Sequence, residues 1–541
     1  MEWINQQFDL QRKIVARMVE LGITPILPGF PGFVPSALKK AHPDADIVNA
    51  PLWSGFPKNN TGTLFLSPND PIYAELQKHF IETQIEEFGN VTNIYTIDQF
   101  NEISPASTDI KYFSDISKST YDGITAGNPA AIWLMQGWLF YNNPQLWTQE
   151  RVDAYLGGPP NTNDMIILDL YSESEPQWQR VNSYSGRPWI WCELHDFGGN
   201  QALYGKITNV TQNSVQALKD SDSLVGYGLT PEGYEGNEVV YDLMLDQAWE
   251  ATPIDTEAYF EAWVKNRYSA AGKIPQNVYA AWELLRQHAY DVKDNVIPAV
   301  GISVYQIVPA LTGLTNRTGH YPPPTALPYD PKVMKDIWQL LQNATIESPA
   351  LLSVPTFHMD FVDVTRQVMG NAFIDIYTNL VNSFNSTANA SEINRLGSTM
   401  LSFLKDLDTT LNTDQHFTLK KWLDDAKSWG QSTGALDEMA FNARSQVTVW
   451  GIVSDLDDYA AKAWSGLVRS YYGRRWKIFI DSLVDAKKRN VVLDEDAMNK
   501  KIRDFEVSWQ YREYKSETCD KKQDIRDVVK KLVRRWPEVF T

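Results

Sequence analysis

Short apolar runs recur through the first 250 residues and are separated by longer stretches with helical periodicity. Each run continues for about five to eight residues without a polar residue at every second position, which is typical of a strand buried on both faces. The intervening stretches, such as Tyr73 to Phe88 and Ile207 to Leu218, space their apolar residues close to the helical period. This alternation predicts parallel β/α units. The six predicted strands are Ile23 to Phe30, Ile94 to Asp98, Ala131 to Gln136, Met165 to Leu170, Pro188 to Glu193 and Leu224 to Leu229.

The predicted units fall short of a closed barrel. A (β/α)8 barrel needs eight strands, and only about twenty residues precede Ile23. Those residues, MEWINQQFDLQRKIVARMVELG, predict a charged amphipathic helix rather than further strands. We therefore predict an incomplete (β/α)8-type barrel domain over residues 1–250.

The pattern changes after Trp249, where strand-like runs disappear and helical periodicity continues to the end of the chain. Residues 251–541 are therefore predicted to form an all-α domain. A connector from Pro309 to Pro331, which contains three consecutive prolines, is predicted to be an ordered surface loop. The clearest predicted helices are Glu257 to Tyr268, Val278 to His288, Val333 to Leu341, Phe361 to Leu380, Phe417 to Trp429, Tyr459 to Tyr472 and Trp476 to Lys487.

The charge and composition of the chain exclude several classes of function. The 49 basic and 67 acidic residues give a formal charge of −18, so nucleic acid and anionic membranes are poor partners. No apolar stretch approaches the roughly 18 residues that span a bilayer. Cys192 and Cys519 are too far apart to make a CxxC pair, and the seven histidines form no metal-binding spacing. Without a Walker loop or a G-x-S-x-G elbow either, we expect no metal and no cofactor.

Seven Asn-x-Ser/Thr sequons suggest a secretory history. The opening segment has no compact apolar region, so this chain is not expected to carry a signal peptide. We therefore expect the full-length protein to be secreted or lysosomal or vacuolar. The sequons begin at Asn59, Asn90, Asn209, Asn316, Asn343, Asn385 and Asn389.

Two glutamates follow predicted strands in turn-rich loops, namely Glu102 in IDQFNEISP and Glu232 in GLTPEGYEGNE. Reactive groups of β/α barrels come from these strand ends, and paired carboxylates are the usual equipment for glycoside hydrolysis. The alternative is that each glutamate caps the next helix. Asn101 favours the catalytic interpretation, because an amide beside an acid can hold a sugar hydroxyl or acetamide. The competing carboxylates are Asp169, Glu173, Glu193 and Glu238.

Aromatic residues make up 12% of the chain and provide flat surfaces on which sugars stack. Trp53, Trp138 and Trp191 lie at or near the predicted rim of the barrel, where each is either a stacking platform or a core residue. His195 ends the strand PWIWCELH and is either a ligand-binding or a structural residue.

Eight segments spread over the chain carry a family resemblance: FNEISP around Glu102, WLMQGWLFYNNPQLW at 133–147, ILDLYSESEPQW at 167–178, GRPWIWCELHDFGGNQALYG at 186–205, TPEGYEGNEVVYDLM at 230–244, DVTRQ at 363–367, SQVTVWG at 445–451 and DDYAAKAWSGLVRSYYGRRW at 457–476. With these segments the sequence strongly resembles glycoside hydrolase family 89, the α-N-acetylglucosaminidases, over nearly the whole chain.

The resemblance implies a retaining exo-enzyme that removes terminal α-linked N-acetylglucosamine, with Glu102 as acid/base and Glu232 as nucleophile. In an α-glycoside the 2-acetamido group is cis to the leaving group and cannot attack C1 from behind. The enzyme must supply its own nucleophile, and a retaining pair should have carboxyl groups about 5 to 5.5 Å apart.

Family members carry a small domain and two barrel strands ahead of the segment at which this chain starts. We therefore expect a barrel without its first two strands, whose unpaired edges would need another chain, including a second copy in a homo-oligomer, for cover. A second interpretation is a catalytically inactive sugar-binding remnant. A substrate-assisted β-hexosaminidase is disfavoured, because such sites use an adjacent Asp-Glu pair and Glu102 follows Asn101.

Overall fold

A computed structural model describes residues 2–53, 56–233, 235–430, 432–451, 456–511 and 522–541. Cys519 lies outside these residues, and Cys192 is buried. The described residues contain nine strands: β1 (Leu27–Pro28), β2 (Phe33–Val34), β3 (Ile47–Asn49), β4 (Leu64–Leu66), β5 (Ile94–Thr96), β6 (Ile132–Gln136), β7 (Met165–Asp169), β8 (Trp189–Glu193) and β9 (Leu224–Leu229).

All six predicted strands are present and form one parallel sheet in the order β1-β5-β6-β7-β8-β9. Each strand pairs in parallel with the strand of the next β/α unit along the chain, which is the strand order of a TIM barrel. Strands β1 and β9 do not pair with each other among the described residues, and the sheet is not closed. The predicted fold class is therefore confirmed as an open, barrel-like sheet followed by a helical domain.

The two faces of this sheet differ in burial. Trp133, Ile167 and Trp189 alternate onto one face and are fully buried against the surrounding helices. Ile166 and Ile190 point to the opposite face and are only half-buried. Because both faces carry apolar residues, the strands appear in the sequence as continuous apolar runs.

A small antiparallel sheet, in the order β2-β4-β3, was not predicted. Its strands contain only two or three residues, which is too short for an alternating pattern to emerge. The sheet follows β1, and Trp53 lies in the connection between β3 and β4, where its backbone N–H donates to Thr61 Oγ1 at 3.5 Å.

Besides a 3₁₀ turn at Thr162–Asp164 and a π-helical turn at Asn209–Asn213, the barrel half contains ten α-helical segments in the described residues, including the predicted N-terminal helix. Of these, α8 is a single turn with positive φ at all four residues. The segments are α1 (Glu2–Glu20), α2 (Ser36–Ala41), α3 (Lys58–Thr61), α4 (Pro71–Phe88), α5 (Ile110–Gly127), α6 (Trp138–Asn142), α7 (Gln149–Leu156), α8 (Asn182–Ser185), α9 (Ser214–Asp220) and α10 (Glu238–Gln247).

The described residues after 250 contain helices and short helical turns but no strand longer than a single bridge. None of the described helices is long and apolar enough to cross a membrane. The helices are α11 (Thr256–Arg267), α12 (Gln276–Leu284), α13 (Pro331–Glu347), α14 (Pro355–Asn385), α15 (Ala390–Leu411), α16 (Leu419–Lys427), α17 (Thr433–Gln446), α18 (Gly473–Arg489), α19 (Glu495–Gln510), α20 (Ile525–Arg535) and α21 (Pro537–Phe540).

The predicted helix from Tyr459 to Tyr472 is wrong over most of its length. Only a π-helical turn at Val468–Tyr472 follows Leu467, and residues 459–466 form a loop. Ser465 exchanges backbone hydrogen bonds with Phe417 and Leu419, as in a strand pair, and Gly466 has a φ of +87°. The apolar residues of this segment are therefore buried or half-buried residues of a loop and not one face of a helix.

The proline-containing connector is ordered but is more than a surface loop. Pro323, Pro324 and Thr325 are buried, and the Thr325 hydroxyl donates to the Leu314 carbonyl at 2.7 Å. The same connector brings His320 to the carboxyl end of the parallel sheet, where its Nδ1 lies 3.1 Å from the Tyr141 hydroxyl.

The two halves of the chain share one hydrophobic core. Polar contacts join them as well: Arg366 of α14 donates to the Gln201 carbonyl at 2.6 Å, and Gln367 accepts from the Leu203 N–H at 3.1 Å. Residues of the helical half can therefore reach the loops after β8 and β9.

Candidate active site

The two predicted glutamates both lie at the carboxyl end of the parallel sheet, and both side chains are exposed. Glu102 follows β5 and Glu232 follows β9. Neither caps the helix that comes next, because the N-cap residues of α5 and α10 are Asp109 and Asn237. The capping alternative is therefore wrong for both residues.

Two tryptophans hold the Glu102 carboxyl group. Trp53 Nε1–H donates to Oε2 at 2.5 Å, and Trp138 Nε1–H donates to Oε1 at 3.0 Å. The neighbouring Asn101 donates from Nδ2 to Gln136 Oε1 at 3.2 Å. Its Oδ1 is buried and accepts no hydrogen bond from the described residues. The structure thus brings four of the predicted site residues together and leaves one amide oxygen ready to accept a hydrogen bond.

Glu232 is held by one backbone amide and one phenol. The Gly198 N–H donates to Oε2 at 2.6 Å, and the Tyr459 hydroxyl donates to the same oxygen at 2.5 Å. Burial, followed by the charge of Glu232, raises the pKa of the Tyr459 hydroxyl, so it remains a donor. The negative charge of Glu102 contributes to raising the pKa of Tyr459 as well.

Glycines allow the loops after β8 and β9 to approach this closely. Gly198 has a φ of +64°, and a Cβ added there would lie 2.3 Å from the Tyr459 carbonyl oxygen. A Cβ added to Gly233 would lie 2.5 Å from the Gly199 Cα. Asp196 ties the same loops together by accepting from the N–H groups of Gly199 at 2.9 Å and Gly233 at 3.1 Å.

Aromatic rings form one wall of the site. The Trp138 ring lies 6.0 Å from Phe197 and 4.9 Å from Tyr141, and His320 lies 4.9 Å from Phe197. Burial lowers the pKa of His320 and favours its neutral form. Such a wall can stack against the apolar faces of a sugar ring.

The competing carboxylates lie elsewhere. Glu173 and Glu193 are fully buried behind the loop after β8. Asp169 is buried too and accepts from the N–H groups of Gln177 and Trp178, and burial raises its pKa to about 7. Glu238 opens α10 and lies 3.7 Å from Arg267.

Two predicted binding residues are in the interior. Trp191 is 1% exposed and alternates onto the face of β8 that packs against the helices, so it offers no platform to a sugar. His195 is 1% exposed and packs between Tyr204 and Tyr241. Burial lowers its pKa to about 4, so it is a neutral structural residue here. These two assignments are therefore corrected.

Sequence reasoning missed Tyr459, Gly198 and His320. Tyr459 stands in the conspicuous segment DDYAAKAW, but nothing local connects it with a glutamate 227 residues away. Within the described residues, no group of three or more His, Cys, Asp or Glu side chains could hold a metal ion.

Comparison with known proteins gives consistent matches over the whole chain. The family model described as the α-N-acetylglucosaminidase (NAGLU) TIM-barrel domain matches residues 1–251, and the corresponding C-terminal domain model matches residues 259–535. A human α-N-acetylglucosaminidase is 31% identical over 538 residues, which cover 99% of this chain and 70% of the human protein.

Two solved structures of a family 89 glycoside hydrolase from Clostridium perfringens are also similar. Each has a TM-score of 0.85 and 25% sequence identity, and each match covers 98% of this chain. One contains 2-acetamido-1,2-dideoxynojirimycin, and the other is a variant with its substrate GlcNAc-α-1,4-galactose. This chain spans 59% and 58% of those two chains.

Proposed function

The chain belongs to the α-N-acetylglucosaminidases, glycoside hydrolase family 89, and we propose that it releases terminal α-linked N-acetylglucosamine from glycans with retention. In this proposal Glu102 is the acid/base and Glu232 the nucleophile. The observation that carries it is that both glutamates are exposed at the carboxyl end of one parallel sheet, each is held by directed hydrogen-bond donors, and neither caps the helix that follows it.

In the first step, protonated Glu102 gives its proton to the glycosidic oxygen as the bond to C1 breaks. The indole N–H groups of Trp53 and Trp138 fix the orientation of the carboxyl group. Each carboxyl oxygen has two lone pairs. An oxygen that accepts one indole hydrogen bond can therefore still bind or release the proton through its second lone pair.

At the same time, Glu232 attacks C1 and forms a glycosyl ester. Both hydrogen bonds of Glu232 go to Oε2, and no described residue donates to Oε1. This leaves Oε1 as the oxygen for attack. The Gly198 amide and the Tyr459 hydroxyl stabilise the carboxylate when it leaves again. In the second step, Glu102 removes a proton from water, which attacks C1 and releases Glu232.

The proposed substrate contacts follow from the same geometry. The unpartnered Oδ1 of Asn101 would accept from a sugar hydroxyl or from the acetamide N–H, since a buried oxygen without a donor is unfavourable. Trp53 and Trp138 present half-buried rings beside Glu102 and would stack on the sugar.

Peptide mapping after trapping with a slow fluorosugar of α-GlcNAc tests the assignment. We expect the label on Glu232 and the α-anomer as the first product in a proton NMR time course. A label on Glu173, Glu193 or Glu238 would contradict the assignment of the nucleophile. A β-anomer as first product would contradict retention.

The alternative is a sugar-binding protein without turnover. It predicts binding of N-acetylglucosamine by calorimetry with neither label nor product. A folded protein that binds the sugar and gives no label in the trapping experiment would favour this alternative.

We also propose a secretory or lysosomal or vacuolar destination for this protein. Six of the seven sequon asparagines are exposed, which supports glycosylation at these positions. Asn209 is the exception, because its Nδ2 donates to the backbone carbonyl of Glu173 at 2.7 Å. Glycan mapping after expression in a secretory host should find glycans at exposed sites and none at Asn209.

A further inference from the structure

Lys462 comes from the helical half of the chain but lies against the loop that holds Glu232. Its Nζ donates to the Gly198 carbonyl at 2.6 Å and to the Ala460 carbonyl at 3.1 Å. The Tyr472 hydroxyl hydrogen-bonds to both the N–H and the carbonyl of Lys462. The lysine is thus fixed at its backbone as well as at its ammonium group.

The contacts of Lys462 lead directly to the nucleophile. Gly198, whose carbonyl accepts from Nζ, is the residue whose N–H donates to Glu232 Oε2. A Cβ added to Gly199 would lie only 3.3 Å from Nζ, so the ammonium group fills the space beside this turn. Moving the lysine would therefore move the amide that orients Glu232.

Lys462 is surrounded by acidic groups from both catalytic loops. Asp196 comes from the loop after β8, and Glu232 and Glu235 come from the loop after β9; all three carboxylates favour the charged lysine. The Tyr459 hydroxyl lies on the lysine's own segment, and the Tyr241 hydroxyl donates to Asp196 at 2.8 Å. Burial lowers the pKa of Lys462 to about 8 and raises that of Asp196 to about 6. The lysine is a cation throughout the acidic and neutral range.

We propose that Lys462 is a positioning residue that fixes the Gly198 amide against Glu232 and places a positive charge beside the carboxylates of this loop. The inference rests on the proposed function of Glu232 as nucleophile. It assigns a role in the reaction to the helical half that is additional to the hydroxyl of Tyr459.

The test is the pH profile of kcat/KM for Lys462→Met and Lys462→Arg, measured with a dinitrophenyl α-GlcNAc whose departure needs no proton. Without the cation, the negative charges of Glu232 and Asp196 lose a favourable interaction. The rise of activity on the acid side should therefore move to higher pH by about one unit in Lys462→Met. Lys462→Arg keeps the charge and should keep the acid side within about 0.3 units of the native position, even if kcat falls.

A purely structural lysine would lower the plateau or the melting temperature without moving the acid side of the profile. An unmoved acid side in Lys462→Met therefore overturns the proposal. Should Lys462→Met fail to fold, Lys462→Gln replaces it, because an amide can still donate to the Gly198 carbonyl but carries no charge. The same upward shift is expected for Lys462→Gln.

Binding of 2-acetamido-1,2-dideoxynojirimycin gives a readout that does not need turnover. A cationic iminosugar binds an ionised carboxylate, so calorimetric affinity should fall on the acid side at a pH about one unit higher in the neutral variants. If the native protein neither hydrolyses α-GlcNAc nor becomes labelled, the proposed function fails. If Glu232 is labelled but the neutral variants keep the native pH dependence of binding and kcat/KM, only the role of Lys462 fails.

Discussion

Two pairs of glutamates lie at or after the carboxyl ends of the parallel strands, and the two pairs differ in their exposure to solvent. Glu102 and Glu232 are exposed and accept hydrogen bonds from indole, phenol and amide donors. Glu173 and Glu193 are fully buried. Glu173 accepts from the N–H groups of Leu194 and His195, whereas neither oxygen of Glu193 has a hydrogen-bond partner among the described residues.

The difference shows what separates a reactive carboxylate from a structural one at a strand end. Burial raises the pKa of both Glu173 and Glu193, and the negative charge of Glu193 raises that of Glu173 further. A buried acid that is kept neutral cannot serve as a nucleophile. The exposed pair is accessible to substrate and is oriented by directed hydrogen-bond donors.

Removing the nucleophile should produce the largest effect. Glu232→Ala should lower kcat by at least about 10³-fold, because water would have to replace a positioned nucleophile. Added azide should restore turnover by occupying the vacated space and should give the β-glycosyl azide. The matched control is Glu193→Gln, for which we expect kcat within tenfold of native. A comparable loss in both variants would remove the distinction between the two pairs.

The role of Glu102 predicts an effect that depends on the leaving group. Glu102→Ala should lower kcat/KM by about 10² to 10⁴-fold for a natural disaccharide, because a sugar alcohol leaves only when protonated. For a dinitrophenyl glycoside, formation of the glycosyl ester needs no acid, and pre-steady-state release should be within about tenfold of native. Equal losses for both substrates would exclude Glu102 as the acid.

The buried pair predicts how stability depends on pH. A carboxyl group whose pKa is raised by folding stabilises the protein fully below its unfolded pKa of about 4.3, and this contribution is lost as pH rises through the folded pKa. Each unit of raised pKa corresponds to about 1.4 kcal/mol. The native free energy of unfolding in urea should therefore fall as pH rises above about 4.3.

Glu193→Gln mimics the neutral acid and should make that decline smaller. The variant should be more stable than the native protein at pH 8 and close to it at pH 4. Part of the decline should remain, because burial also raises the pKa of Asp169 to about 7. If the free energy of unfolding declined equally with pH in the variant and in the native protein, Glu193 would not be held neutral in the folded state.

The smallest expected effect concerns the anchor of the buried pair. Asn209→Ala removes the hydrogen bond to the Glu173 carbonyl and should lower the free energy of unfolding by about 1 kcal/mol. Asn343→Ala, at an exposed sequon in α13, is the matched control and should change it by less than about 0.5 kcal/mol. Neither variant should alter kcat. A stability loss confined to Asn343→Ala would contradict the assigned hydrogen bond.

The six strands of the parallel sheet could be predicted because strands buried on both faces have continuous apolar sequences. This holds even for the short strands β1 and β5, because the apolar runs that contain them extend beyond the paired residues. For the same reason, the sequence does not show which face of the sheet each side chain points to, because apolar residues occupy successive positions. The sequence therefore leaves Trp191 open as either a stacking platform or a core residue, whereas in the structure it packs under the helices. The strands β2, β3 and β4 could not be predicted because two or three residues show no period.

Glu102 and Glu232 could be predicted because parallel strands bring their carboxyl ends to one edge. Their partners could not be derived in the same way. Tyr459 and Lys462 lie in a loop whose apolar spacing imitates a helix, and they reach the site only because the helical half packs onto the barrel. The spacing of apolar residues within one segment does not indicate which distant segments it contacts in the fold.

The meeting of Tyr459 with Glu232 also has an evolutionary consequence. A recombination that exchanged the helical half for another module would remove the phenol from the carboxylate along with the core that it shares with the barrel. Selection on catalysis therefore acts on both halves at once. Their coding sequences should be inherited together, and compensating substitutions should couple the loop after β9 to residues 459–462.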